Sequence, residues 1–464
     1  MKQIDVLPDD VLLGIFDFYT KMDSPYRSKP EIESWQSLVH VCRRWRSLVF
    51  QSPRHLNLQL YCTPKTPARD ILDVWPALPL IVAGNMASPS GTDNIIAALG
   101  QSNRVCQVIL WGLDWQLEKA LAQMQVSFPE LTQLQLSSHA PHNETPRAPP
   151  VIPDSFLDGS APRLRIFSLC GIRFPGLPKF LLSANHLVNL RLSNIPHSGY
   201  TSPEAMVALL CALFSLEILS LQFQSPQSRL DWESGSFPPP NRSVIPALRH
   251  FHFYGVIEYL EGLVTFIDAP QLRALYITFF NQIDFDTPRL AQFVNRTPTL
   301  RVCDEAHVQF DDESTSVALL ARYSTLEISI SCREPRWQLS SVAQVCNSSL
   351  HPLATVETLY IEHQPWQAVR KTNDIDNTLW LQLLLPFTTV KNLYLSKELA
   401  PGIAATLREL VGGRITEVLP SLQNIFAEGI VPLGPFQERI GQFVAVRQLS
   451  DHPIAISVWN KTSM

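Results

Sequence analysis

Basic residues are not in excess in this 464-residue chain: 37 lysines and arginines stand against 42 aspartates and glutamates, a net charge of −5. That balance excludes a protein held to nucleic acid by a basic surface. Long hydrophobic runs are missing too. Stretches such as Leu383-Leu384-Leu385 fall far short of the roughly 20 residues that cross a bilayer. Asp5, Asp9 and Asp10 lie where a signal peptide would need its apolar core, so neither membrane insertion nor secretion is expected. The eight cysteines, at positions 42, 62, 106, 170, 211, 303, 332 and 346, include no close pair. Neither a CxxC metal knuckle nor a dense disulfide framework is suggested, and reduced, packed thiols are expected, as in a cytoplasmic or nuclear protein. There is no glycine-rich phosphate loop, no HExxH, no GxSxG, and no cluster of carboxylates with histidine at ligand spacing. His250 and His252 lie two apart on one strand face, without a third ligand. Neither an enzyme nor a metal or cofactor site is expected.

What the chain does have begins at its N-terminus. Pro8 suits the first turn of a helix, where its missing N–H costs nothing, and Asp9 and Asp10 sit at the positive end of the helix dipole. The spacing predicts a helix from Pro8, with Leu7, Val11, Leu12, Ile15 and Phe16 along one apolar stripe. A second helical pattern carries Trp35, Leu38, Val39, Cys42, Trp45 and Val49 at steps of three and four, and ends at Ser52-Pro53. A unit of this size buries only about 60% of its unfolded surface, so something must cover its apolar face. Acidic and basic residues balance over the first 53 positions, which leaves hydrophobic burial as the driving force for docking.

Leu7-Pro8-Asp9-Asp10, a hydrophobic helix carrying Ile15-Phe16, a spacer, and Val41-Cys42-Arg43-Arg44-Trp45 together resemble the F-box, most closely that of fungal F-box proteins. Trp75-Pro76-Ala77-Leu78-Pro79 occurs at a similar place in such chains. The resemblance covers residues 4–53. It implies that Leu7, Pro8, Val11, Leu12, Ile15, Phe16, Val39, Cys42 and Trp45 dock a Skp-type adaptor, and through it a cullin. The alternative is a helical cap on the rest of the chain, in a non-catalytic interaction scaffold.

Beyond residue 80 one frame recurs: a leucine, two variable residues, an apolar residue, one variable residue, an apolar residue. It appears as Leu131-Leu134-Leu136, Leu164-Phe167-Leu169, Leu187-Leu190-Leu192, Leu216-Leu219-Leu221, Leu248-Phe251-Phe253 and Leu272-Leu275-Ile277. It returns as Val356-Leu359-Ile361 and Val390-Leu393-Leu395, with weaker copies at Val105, at Leu300, near Leu326 as Ile328-Ile330, and at Leu422. The mean period of about 29 residues is at the upper end of leucine-rich repeats. Helical candidates such as Pro203–Leu213 and Pro288–Val294 lie between copies. Stacked strand–helix units give parallel strands on a concave face with helices outside. The asparagine or cysteine usual three residues after the frame is replaced by Ile172, Ile195 and Phe280, so no asparagine ladder is expected. The reading is an α/β chain: an F-box-like helical domain at 1–53, a connector and N-terminal cap at 54–104, an irregular leucine-rich-repeat-like array at 105–436, and a C-terminal cap at 437–464. Two proline-rich interruptions, His139–Pro153 and Gln224–Pro246, would project from one rim.

Strand alternation turns the residues between frame positions outward. Their central column runs Gln135, Ser168, Arg191, Ser220, His252, Tyr276, Ser329, Tyr360 and Tyr394. Arginine and tyrosine are frequent interface anchors, which singles out Arg191, His252, Tyr276, Tyr360 and Tyr394 for binding a target protein. With the resemblance, this implies the substrate-recognition subunit of a Skp, cullin and F-box type E3 ubiquitin ligase.

Overall fold

The structure is a computed structural model that describes residues 7–21, 34–53, 55–139, 148–174, 179–226, 242–281, 285–363, 377–410, 414, 416–429 and 435–459. The greater part of both proline-rich interruptions lies outside the described residues. Contacts within the chain divide it into two compact units, Met1–Leu187 and Val188–Met464.

In the first unit α1 (Asp9–Lys21), α2 (Ser34–Val39) and α3 (Arg43–Gln51) precede a strand–helix series. It comprises β1 (Leu60–Cys62), α4 (Ala68–Ile71), β2 (Leu80–Asn85), α5 (Pro89–Leu99), β3 (Val105–Gly112), α6 (Asp114–Gln123), β4 (Gln133–Ser138) and β5 (Ile166–Cys170). The strands stand in the order β1-β2-β3-β4-β5, each parallel to the next. Parallel neighbours cannot be joined by a tight turn, so α4, α5 and α6 serve as the first three crossovers. The frame residues Leu134, Leu136, Phe167 and Leu169 are buried. Phe167 meets Phe180 edge-on with ring centroids 5.2 Å apart.

The second unit contains β6 (Asn189–Ile195), α7 (Pro203–Ala212), β7 (Ile218–Phe223), β8 (Ser243–Val244), β9 (His250–Gly255), α8 (Ile257–Thr265), β10 (Ile267–Asp268), β11 (Ala274–Phe279) and α9 (Pro288–Arg296). There follow β12 (Glu305–Phe310), β13 (Ser314–Ala321), β14 (Ser324–Ser331), α10 (Pro335–Ser349), β15 (Thr358–His363), α11 (Asn377–Leu384), β16 (Asn392–Leu395), α12 (Ala400–Arg408), β17 (Asn424–Glu428), α13 (Pro435–Leu449) and β18 (Ala455–Trp459). Both helices expected from a leading proline form. Ser202 Oγ accepts from Ala205 N at 3.3 Å to start α7. The α9 start is held from its neighbour, because the Glu261 carboxylate of α8 accepts from Arg289 N (3.0 Å) and Leu290 N (2.7 Å). Ile172, Ile195 and Phe280 are buried where an asparagine ladder would stand. Hydroxyl-to-carbonyl bonds link successive turns instead, such as Thr132 Oγ1 to Cys106 O (3.0 Å) in the first unit and Thr389 Oγ1 to Val356 O (2.9 Å) in the second. The result is an α/β, leucine-rich-repeat-like arrangement of parallel strands with a layer of helices.

One stretch departs from the repeat expected around Leu300 and Leu326. The strand order in the second unit is β6-β7-β9-β11-β14-β13-β12-β15-β16-β17-β18. The chain leaves β11, passes two strand positions to lay down β12, then fills the gap with β13 antiparallel to β12 and β14 antiparallel to β13. Parallel pairing resumes outside, β11 with β14 and β12 with β15. Only two residues, Arg322 and Tyr323, join β13 to β14, and a link that short makes a hairpin. The β12–β13 turn is built by Asp311, whose carboxylate accepts from Glu313 N (2.7 Å), Ser314 N (2.5 Å) and Ser314 Oγ (2.7 Å). Buried Gln338 of α10 fastens this insertion: its Nε2 donates to the carbonyls of Asp311 (2.8 Å), Ser314 (3.1 Å) and Cys332 (2.7 Å). Gln338→Leu removes this donor from the Asp311 and Cys332 carbonyls at nearly constant volume, while Ser314 O keeps its bond from Asp311 N, and should cost about 1–3 kcal/mol. Urea unfolding, followed by circular dichroism, measures that loss.

Candidate functional site

The N-terminal helices form two surfaces. Helix α1 opens at Asp9, with the Pro8 carbonyl accepting from Leu12 N at 3.0 Å. The Arg44 guanidinium reaches back to pair with Asp9 (2.5 Å) and to bond the Leu7 carbonyl (2.6 Å). The second helical pattern is broken in two. Arg46 Nε donates to Val39 O (2.9 Å) at the end of α2, and Cys42, in extended conformation, caps α3 with its sulfur accepting from Trp45 N at 3.5 Å. Val41 is left in the turn between them, 58% exposed.

The apolar stripe of α1 therefore divides. Leu12 and Phe16 are buried, with the Phe16 ring 4.7 Å from that of half-buried Trp45. Val39 is buried as well, and Leu7 and Cys42 are half-buried. Of the nine residues expected to dock an adaptor, Leu12, Phe16 and Val39 are thus enclosed in the helices' own core. Pro8, Val11 and Ile15 face solvent, Val11 at 43% and Ile15 at 48% exposure. Phe18 (67%) and Tyr19 (45%) extend that outer face. Sequence reading missed them, although they follow Ile15 by the same three and four residues. A different set of side chains fastens the helices to the following segment: Trp35 packs edge-on against Trp75 (5.3 Å), Phe50 against Trp75 (6.1 Å), and Trp35 Nε1 donates to Gln59 O at 3.0 Å.

In each unit one side of the strands carries the buried frame residues and the other is open. On the open face Gln135 pairs in register with Ser168 in the first unit. In the second, exposed Arg191 leads through Ser220 and His252 to Tyr276, in register on adjacent strands. The column then departs from expectation, because Tyr276 is opposite Glu327, while Ser329 is opposite Thr278. Ala318 and His307 follow before Tyr360, Tyr394 and Phe426.

Rings at neighbouring positions of this row stack. His252 lies on Tyr276 at 4.7 Å and 13° between planes, His307 on Tyr360 at 4.3 Å, Tyr360 on Tyr394 at 4.5 Å, and Tyr394 on Phe426 at 4.4 Å. Trp459 of β18 leans onto the same stack, 5.4 Å from Tyr394 and 6.0 Å from Tyr360. Tyr360 is consequently buried, at 5% exposure, where the sequence pattern placed a free surface tyrosine. His252, Tyr276 and Tyr394 remain half-buried, with an edge open. Burial, and after it the neighbouring His250 and Arg191, lowers the His252 pKa below the ordinary imidazole value.

Burial raises the Tyr360 phenol to about 12, helped by the Glu305 and Glu362 carboxylates. The folded chain keeps that proton above pH 10.0, where an unfolded tyrosine gives it up. The stability contributed is whole below that pH and drains away as pH climbs toward 12. Melting temperatures across this interval should fall less steeply for Tyr360→Phe than for the parent chain.

Among the described residues, no group of three or more histidines, cysteines or carboxylates could hold a metal, and no helix is long and apolar enough to cross a membrane. No protein-family model matches this chain, and no curated protein does. Among solved structures it is similar to the leucine-rich repeat-containing protein LegL7 from Legionella pneumophila, at 12% identity and a TM-score of 0.28, over 83% of this chain and 97% of that one. The fold described above rests on its own strand order and register.

Proposed function

We propose that this chain is the substrate-recognition subunit of a Skp, cullin and F-box type E3 ubiquitin ligase. Its N-terminal helices dock a Skp-type adaptor, and the open face of its repeats binds a target protein. The observation that carries the reading is the exposed apolar face of α1, where Val11, Ile15 and Phe18 stand in solvent, together with exposed Val41 of the α2–α3 turn. Large side chains at this exposure are the surface that a partner covers, and they lie in the segment that resembles the F-box. The protein contributes proximity, holding its target where a separate enzyme transfers ubiquitin.

A scaffold whose N-terminal helices serve only as a cap draws support from the Trp35–Trp75 contact. That contact uses side chains other than those on the α1 outer face, so capping leaves the outer face available. Size-exclusion chromatography of the full chain mixed with a purified Skp-type adaptor separates the two readings. Co-elution as a stoichiometric complex supports the ligase subunit, and independent elution supports the scaffold.

A further inference from the structure

The antiparallel insertion opens a slot in the aromatic row of the second unit. Tyr276 ends one stack and His307 ends the other. Between their strands stand β14 and β13, which contribute Glu327 and Ala318 to the row. Three strand spacings put about 14 Å between the backbones that carry Tyr276 and His307. One face of Tyr276 is covered by His252, which turns its other face toward Glu327. His307 is likewise covered on one face by Tyr360, leaving the other toward Ala318. The floor is lowest at Ala318, which has Ser316 on one side and Leu320 on the other along its strand on this face, and Ser329 lies beside Glu327. Ser329 Oγ donates to the Glu327 carboxylate at 3.2 Å, and Glu305 lies 3.6 Å from His307 Nε2. Glu305 and Glu327 share the open face of β11 to β15 with no lysine or arginine at any open-face position of those strands.

From this juxtaposition we infer that the slot receives an arginine side chain of a partner protein, its guanidinium laid over Ala318 on the open face of His307 with its N–H fork on the Glu327 carboxylate. The inference rests on the reading of the open face as the target-binding surface, and it names the chemistry of the target. A planar, weakly hydrated cation matches both parts of the site, since it stacks on rings and presents two parallel N–H groups to a carboxylate. A lysine ammonium uses the charge but neither the stacking plane nor the fork. An anionic ligand meets Glu305 and Glu327 at close range.

The test is a titration of the full chain, labelled at alanine methyl groups, with the peptides Gly-Ser-Ser-Xaa-Ser-Ser-Gly in which Xaa is arginine, lysine or citrulline. The Ala318 methyl resonance, identified by its loss in Ala318→Ser, reports the slot directly. The arginine peptide should shift it saturably, with lysine weaker on the order of tenfold and citrulline weaker still. Glu327→Gln, which keeps the shape and removes the charge, should weaken the arginine peptide by about tenfold. No saturable shift with the arginine peptide, equal binding of the lysine or citrulline peptide, or an unchanged affinity in Glu327→Gln overturns the inference. Adaptor co-elution, measured on the same preparation, is independent of this slot. Its loss with the titration intact overturns the ligase reading alone, and the reverse result overturns the slot alone.

Discussion

Ile15→Asp should weaken capture of a Skp-type adaptor on the order of a hundredfold or more while leaving the melting temperature of the chain unchanged. The two halves of this expectation come from the same observation. Ile15 is 48% exposed on the outer face of α1, whereas Leu12 and Phe16 on the inner face are buried. A carboxylate at position 15 stays hydrated in the free chain and loses its water only when an apolar partner covers it, so the penalty falls on the complex. Val11→Asp should behave alike. Trp45→Ala differs in kind, because the Trp45 ring packs on Phe16 at 4.7 Å, and its removal loosens the helices along with any docking. Adaptor affinity by calorimetry, paired with thermal unfolding of the same variants, separates the two effects. Full affinity in both aspartate variants would contradict the assignment of this face.

Phe167→Ala in the repeat core should cost about 3–5 kcal/mol. Phe167 is fully buried in β5 and meets Phe180 edge-on at 5.2 Å, with Phe180 in turn 5.6 Å from Phe156. Deleting the ring leaves a cavity bounded by two aromatic neighbours that cannot collapse into it without giving up their own contact. In a repeat fold each unit draws its stability from its neighbours, so the loss should appear as an earlier transition of the whole first unit. Urea unfolding monitored by tryptophan fluorescence checks this, and a loss below about 1 kcal/mol would mean that the site repacks.

These residues also mark how much the sequence revealed. Strand positions such as Leu134-Leu136 and Leu219-Leu221 were legible because alternation and burial are local consequences of the pleat. The starts of α7 and α9 were legible because proline fixes the first turn. The break between α2 and α3 was not, since apolar spacing runs through it without a glycine or proline. Its cause is side-chain capping, by Cys42 sulfur on one helix and Arg46 on the other, and neither is a usual cap. The antiparallel insertion did have a signal, in two alternating runs separated only by Arg322-Tyr323, but the leucine frame at Ile328-Ile330 masked it. That slip put Ser329 in the central column in place of Glu327. The burial of Tyr360 depends on Trp459 arriving from the last strand, a contact between distant parts of the chain that periodicity cannot encode.

Hydrogen exchange of the full chain with and without a Skp-type adaptor tests the central claim most directly. The account predicts new protection confined to α1 and to the α2–α3 turn around Val41, with no change along β9, β11 or β14. Protection on the open strand face with none on α1 would contradict it, since the surface assigned to the target would then be binding the adaptor.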